Sequence, residues 1–116
     1  YAVAGNDGAL MGYAPKLSSE KLAGKLGLDL QDIDMFEINE SFASQAVAVS
    51  RDLGLDMEKV NIYGGGISSG HPIGATGAVL TVKVMYELAR TDKRDAMISM
   101  CIGGGQGISM YFTKCE

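Results

Sequence analysis

The chain has 116 residues, room for one compact domain at roughly 100–200 residues per domain; its 47% hydrophobic and 21% charged residues exclude disorder and fibrous structure. Ten Lys and Arg against fourteen Asp and Glu give a net charge of −4, and the basic residues are scattered apart from Lys93 and Arg94, so nucleic-acid binding is excluded for want of a phosphate-tracking stripe. Glycine is the outlier: sixteen residues, about 14% of the chain against a usual ~7%, ten of them within 64–77 and 103–107.

In chain order, residues 1–4 read as the tail of a strand opening into the turn Gly5-Asn6-Asp7-Gly8. Ser18 or Ser19 is expected to cap a helix carrying Leu22, Ala23 and Leu26 on one face until Gly27 stops it. Residues 34–38 make a short apolar strand that ends in Asn39-Glu40-Ser41, from which a helix over 42–53 departs. That helix is small or apolar around much of its circumference, which predicts burial on more than one side. A brief strand over 60–63 precedes the first glycine window. A third helix over 75–89, uncharged except for Lys83 and Glu87, is expected to be central. Residues 95–102 read as a strand, the second glycine window as a tight reversal, and 108–114 as an antiparallel return strand. The order β-α-β-α-β-α-β-β predicts a single α/β domain over residues 1–116 with a mixed five-stranded sheet, its first strands parallel and its final hairpin an antiparallel edge. No repeat and no linker divides it.

A membrane span needs ~18 or more consecutive apolar residues, and the longest uncharged run, 60–82, is interrupted by glycines, His71 and Pro72. The expectation is a soluble, cytoplasmic protein without membrane contact. The start at Tyr1 has neither Met nor the basic opening of a signal peptide and reads as cut from something longer. Cys101 and Cys115 are too few for a disulfide framework or a four-cysteine zinc site; they fit a reducing compartment and leave a Cys101–Cys115 disulfide open. With one His beside them, no metal site is expected.

The polar punctuation sits where strands end, which is where open α/β sheets place their sites. Three segments stand out: 39–43, 64–77 and 101–107. A lone histidine is commonly structural and a free cysteine commonly a core residue. Here His71 is aimed by Pro72 and flanked by Gly70 and Gly74, which permit close approach, and an imidazole exchanges protons near neutral pH. After Cys101, the run Gly103-Gly104-Gly105 leaves backbone N–H groups uncovered, donors suited to an oxyanion. The glycine spacing matches neither a dinucleotide fingerprint nor a P-loop, whose lysine position holds His71.

With these residues in hand, the sequence resembles the C-terminal half of a thiolase of the biosynthetic, acetoacetyl-CoA-forming type (acetyl-CoA acetyltransferase). Asn39-Glu40-Ser41-Phe42-Ala43, Gly70-His71-Pro72-Ile73-Gly74 and Cys101-Ile102-Gly103-Gly104-Gly105 carry the resemblance in order, and the turn 11–15 extends it over the whole chain. It implies Claisen condensation of two acetyl-CoA to acetoacetyl-CoA plus CoA, and the reverse thiolysis, with coenzyme A thioesters as substrates and no cofactor. His71 would deprotonate a nucleophilic cysteine on a partner N-terminal domain and, with a water held by Asn39, bind the thioester oxygen. Cys101 would move the α-carbon proton, and the Gly103 N–H would join an oxyanion hole. Met11, Phe42 and Ser41 would contact substrate. Ser41 stands where the family usually has Ala, and Ile67-Ser68-Ser69 replaces a more apolar run. Also implied are a homodimer or homotetramer and inactivity of the chain alone. The other readings are a degradative 3-ketoacyl-CoA thiolase and a non-catalytic fragment that only self-associates.

Overall fold

The densest apolar runs of the sequence become the middle of the sheet. In the computed structural model, which describes residues 1–115, β2 (Met35–Ile38) is buried throughout, as is the first half of β3 (Asp95–Gly103) from Ala96 to Ser99. Burial on both faces goes with parallel pairing. β2 runs parallel to β3, with Met35 opposite Ala96 and Ile38 opposite Ser99. β4 (Gln106–Thr113) returns antiparallel to β3, and β1 (Ala2–Gly5) pairs antiparallel with the far side of β4. The sheet order is β1-β4-β3-β2.

The α/β class stands, but the described residues form four strands where five were expected. Residues 60–63 do not make a strand. Val60 forms one parallel bridge to Phe36, and Asn61 then takes φ of 48°, a left-handed conformation that Asn tolerates better than most residues. Its side chain substitutes for the missing strand: Oδ1 accepts from the Ile38 N–H at 2.8 Å and Nδ2 donates to the Ile38 carbonyl at 2.9 Å. The hairpin strand β4 is also internal, because β1 lies outside it, and only β2 and β3 are parallel.

The first helix differs at its start. α1 (Ala14–Leu26) begins ahead of Ser18, with Pro15 in its first turn, where a missing N–H costs nothing. Ser18 and Ser19 are therefore interior, buried, and both within hydrogen-bond distance of Ser109 Oγ on β4, at 2.7 and 3.0 Å. Gly27, at φ of 67°, ends the helix as expected. The helix backbone lies so close to β4 that a Cβ at Gly107 would stand 2.5 Å from the Ala14 carbonyl.

Side-chain alternation splits the core into two. Phe36, Ile38 and Met97 point toward Leu22 and Val49 on α1 and α2 (Ala43–Asp52), while Met35, Ala96 and Ile98 point toward Leu80, Val84 and Leu88 on α4 (Thr76–Arg90). Neither α2 nor α4 is buried on more than one side. Val47 is half exposed on α2, and Val79, Val82, Met85 and Tyr86 face outward from α4, because no further layer covers them among the described residues. Between α4 and β4 runs an apolar cleft of about 350 Å³ walled by Val82, Met100, Ile108 and Met110. The methionines divide: Met35 and Met97 are buried, whereas Met57, Met85 and Met110 are exposed.

A buried charge helps to tie this framework together. Glu37 is buried on β2, paired with Lys83 of α4 at 2.6 Å, and Lys83 also donates to the Gly64 carbonyl at 2.7 Å. The pair ties strand, helix and first glycine window together. Burial raises the Glu37 carboxyl above its ordinary range, and Lys83 offsets this only in part. The folded chain thus holds that proton more tightly than the unfolded chain does. Its stabilising contribution is full below the ordinary carboxylate pKa and is lost as pH rises through the raised value. Urea midpoints measured from roughly pH 4 to 7 should fall with rising pH in the wild type relative to Glu37→Gln; equal pH slopes would contradict the assignment. The uncovered face of α4 and its cleft predict self-association of the chain, visible as concentration-dependent sedimentation and weakened by Val82→Glu. Strictly monomeric behaviour at high concentration would overturn that expectation.

Candidate functional site

The site starts where the parallel pair stops. The Asn39 N–H donates to the Ser99 carbonyl at 2.9 Å, prolonging the β2–β3 ladder by one residue and holding the Asn39 side chain in the interior. The two amide hydrogens on Asn39 Nδ2 have two destinations. One points at Ser41 Oγ, 3.0 Å away, and the other at His71 Nε2, 3.3 Å away. Asn39 Oδ1 is buried with no partner among the described residues.

His71 lies between α3 (Gly66–Ser69) and α4, in a turn closed by the Pro72 carbonyl, which accepts the N–H groups of Ala75 and Thr76. Its Nδ1 is 2.6 Å from Thr76 Oγ1, and the Thr76 hydroxyl donates to the same Pro72 carbonyl at 3.0 Å. A hydroxyl has one proton. With that proton committed to Pro72, Thr76 accepts from His71, which places hydrogen on Nδ1 and leaves the Nε2 lone pair facing the Asn39 amide. The imidazole is thereby set as a base directed toward Asn39.

Glu40 braces the two segments. Its carboxylate accepts from Asn61 Nδ2 and from the Ile67 N–H, each at 2.9 Å, and a Cβ at Gly65 would overlap that carboxylate. A side chain at 65 would thus displace the Glu40 carboxylate from these two hydrogen bonds, which hold the His71 segment against the Asn39 turn.

Cys101 is half-buried on β3 opposite Gly107, with Sγ 3.2 Å from Ser41 Oγ. Cys101 and Cys115 are both free thiols, so the disulfide left open by the sequence is not formed. A bulge separates Cys101 from Gly103, and Gly103, Gly104 and Gly105 all have positive φ, of 95°, 60° and 76°. The glycine run is thus the chain reversal itself, and it leaves Gly103 exposed beside the thiol segment.

Asn39, Ser41, His71 and Cys101 are brought together as a connected group. Met11 and Phe42 are not part of it. They line a separate open hollow of about 330 Å³ with Leu10, Tyr13 and Gln45, and Asn39, His71 and Cys101 do not line it. Sequence reasoning passed over Glu40, Asn61 and Thr76. Asn61 carried a readable signal, a turn-prone residue just past an apolar run; the roles of Glu40 and Thr76 depend on contacts across the fold.

The family model for the C-terminal domain of thiolase matches residues 1–114. The chain belongs to the thiolase C-terminal domain family. It is 51% identical over 114 residues to the β-ketothiolase BktB of Cupriavidus necator, covering 98% of this chain and 29% of that protein. It is 48% identical to the acetyl-CoA acetyltransferase of Escherichia coli, with 98% and 29% of the two chains covered. Human mitochondrial 3-ketoacyl-CoA thiolase, solved in complex with CoA, superposes with a TM-score of 0.96 at 42% identity, over 99% of this chain and 29% of that one. This thiolase domain therefore spans less than a third of the length of its relatives. No helix among the described residues is long and apolar enough to cross a membrane.

The Nδ1–H tautomer of His71 is open to direct measurement in this thiolase domain. In Thr76→Val, imidazole nitrogen NMR shifts should move from the Nδ1–H form toward a tautomer mixture; an unchanged spectrum would remove Thr76 from the role.

Proposed function

We propose that this domain supplies the proton-transfer and oxyanion groups of a thiolase acting on acetyl-CoA and acetoacetyl-CoA, and that the acyl-carrying cysteine lies in an N-terminal domain with which it must pair. The observation that carries the reading is the Asn39 amide, which spans His71 Nε2 on one side and, through Ser41, Cys101 Sγ on the other. A base and a thiol at one strand end are what a Claisen condensation of thioesters requires.

In the condensing direction, His71 Nε2 takes the proton of the partner domain's cysteine, whose sulfur attacks the first acetyl thioester and releases CoA thiolate; His71 returns the proton to CoA. Cys101, as thiolate, then removes a proton from the α-carbon of the second acetyl-CoA. The resulting carbanion attacks the acyl carbonyl, the carbon–sulfur bond breaks to leave the partner domain's cysteine as thiolate, and acetoacetyl-CoA leaves; the proton on Cys101 then passes by way of His71 to that thiolate, which restores both sulfurs. A water held on the unpartnered Asn39 Oδ1 and the Gly103 N–H would donate toward the oxygens on which negative charge develops, the kind of stabilisation that contributes most in a site shielded from water. Thiolysis runs the same steps backward. Substrates are coenzyme A thioesters and no cofactor takes part. A reducing, cytoplasmic setting suits a site that depends on a free thiol, and assembly as a homodimer or homotetramer fits the uncovered apolar face.

The open hollow of Met11 and Phe42 also accommodates longer acyl groups, the 3-ketoacyl-CoA reading; Phe42 is 58% exposed and leaves one wall unbuilt. The test is a chimera carrying these residues in place of the matching C-terminal segment of BktB. It should cleave acetoacetyl-CoA, while the chain alone should not. His71→Ala and Cys101→Ala should each lower its rate by about a hundredfold or more, the scale of positioned acid–base groups. Near-wild-type rates in either variant would refute the assignment, and a 3-ketoacyl chain-length series would separate the acetoacetyl reading from the longer-chain one.

A further inference from the structure

Ser41 sits between the two reactive groups, and its contacts define a direction of donation. The amide nitrogen of Asn39 has no acceptor lone pair and must donate to Ser41 Oγ, at 3.0 Å. The other contact of that hydroxyl among the described residues is Cys101 Sγ, at 3.2 Å. While the sulfur carries its proton, either atom of that contact can be the donor; an ionised sulfur can only accept. The arrangement around the ionised sulfur is then Asn39 N–H to Ser41 O–H to Cys101 sulfur.

We infer that Ser41 is a positioning residue that delivers a hydroxyl donor to the Cys101 sulfur, aligned by the Asn39 amide that also faces His71. The inference rests on the reading of Cys101 as the proton carrier, and it moves Ser41 from substrate contact to control of the thiol. An O–H···S contact is weak while the sulfur is neutral. It becomes a charge-assisted hydrogen bond once the sulfur is ionised, so it stabilises the reactive form over the resting one. An alanine at this position would offer no such donor. Glu40, the acid next in sequence, is engaged by Asn61 and the Ile67 N–H and so does not compete for the thiol.

The experiment uses the full chain with Cys115→Ser, so that Cys101 is the single thiol, and follows its alkylation by iodoacetamide at one fixed pH. Ser41→Ala should slow alkylation about tenfold, the scale of one hydrogen bond to a charged acceptor. Ser41→Thr should restore the rate, because it returns the hydroxyl. Thr and Val share a shape, so the pair Ser41→Thr and Ser41→Val isolates the hydroxyl even where alanine disturbs folding. Equal rates for Thr and Val, or a wild-type rate in a folded Ser41→Ala, would overturn the inference. In the BktB chimera, Ser41→Ala should lower kcat with KM unchanged; a change confined to KM would return Ser41 to substrate contact. An inactive parent chimera would count against the thiolase reading, whereas the alkylation series would still decide the role of Ser41.

Discussion

The site depends on a buried amide at the point where a parallel pair of strands runs out. β2 and β3 are zipped together until Asn39 makes its last ladder bond to Ser99, and the ladder delivers the Asn39 side chain to the interior with both amide hydrogens available. An amide in that position needs partners, since an unpaired buried donor costs roughly 1–3 kcal/mol. Its partners are His71 and Ser41, so the same requirement that satisfies the core draws the imidazole and the thiol's neighbour to one place. A polar group that looks like a burden on the core thereby organises the polar cluster.

The surrounding contacts keep that geometry from relaxing. Asn61 caps the end of β2 in place of another strand, Glu40 fastens the first glycine window to the turn after β2, and Lys83 pins the same window to Glu37 from the opposite helix. Glycines stand where these parts meet closely. At Gly65 the obstacle is a carboxylate, at Gly107 it is the helix backbone, and at 103–105 it is the positive φ of the reversal. The glycine excess thus has separate physical causes, and little of it is mere looseness.

Local pattern carried much of the fold. The helix stop at Gly27, the short strand before Asn39, the long helical run after His71 and the hairpin at the second glycine window were legible, because each depends on residues near one another in sequence. The misreadings share one cause. Ser18 and Ser19 resembled a cap, but Pro15 lets the helix begin earlier and Ser109, distant in sequence, gives their hydroxyls a partner. Residues 60–63 had strand composition, but their pairing ends when Asn61 turns its side chain onto β2. The apolar circumference of α2 and α4 predicted a covering layer that this chain does not contain among its described residues.

The sequence by itself determined the reactive inventory: one imidazole, a thiol ahead of a glycine run and an amide at a strand end, in motifs specific enough to indicate a thiolase domain. Tertiary structure decided how they are connected. It directed the His71 lone pair through Thr76, placed Ser41 on the Cys101 sulfur, and separated the Met11 and Phe42 hollow from the polar cluster. The reason is one of range. Residue type and spacing specify which groups are available and which backbone turns are allowed, whereas hydrogen-bond direction depends on what each group meets across the fold, and those partners lie up to 60 residues apart in the chain.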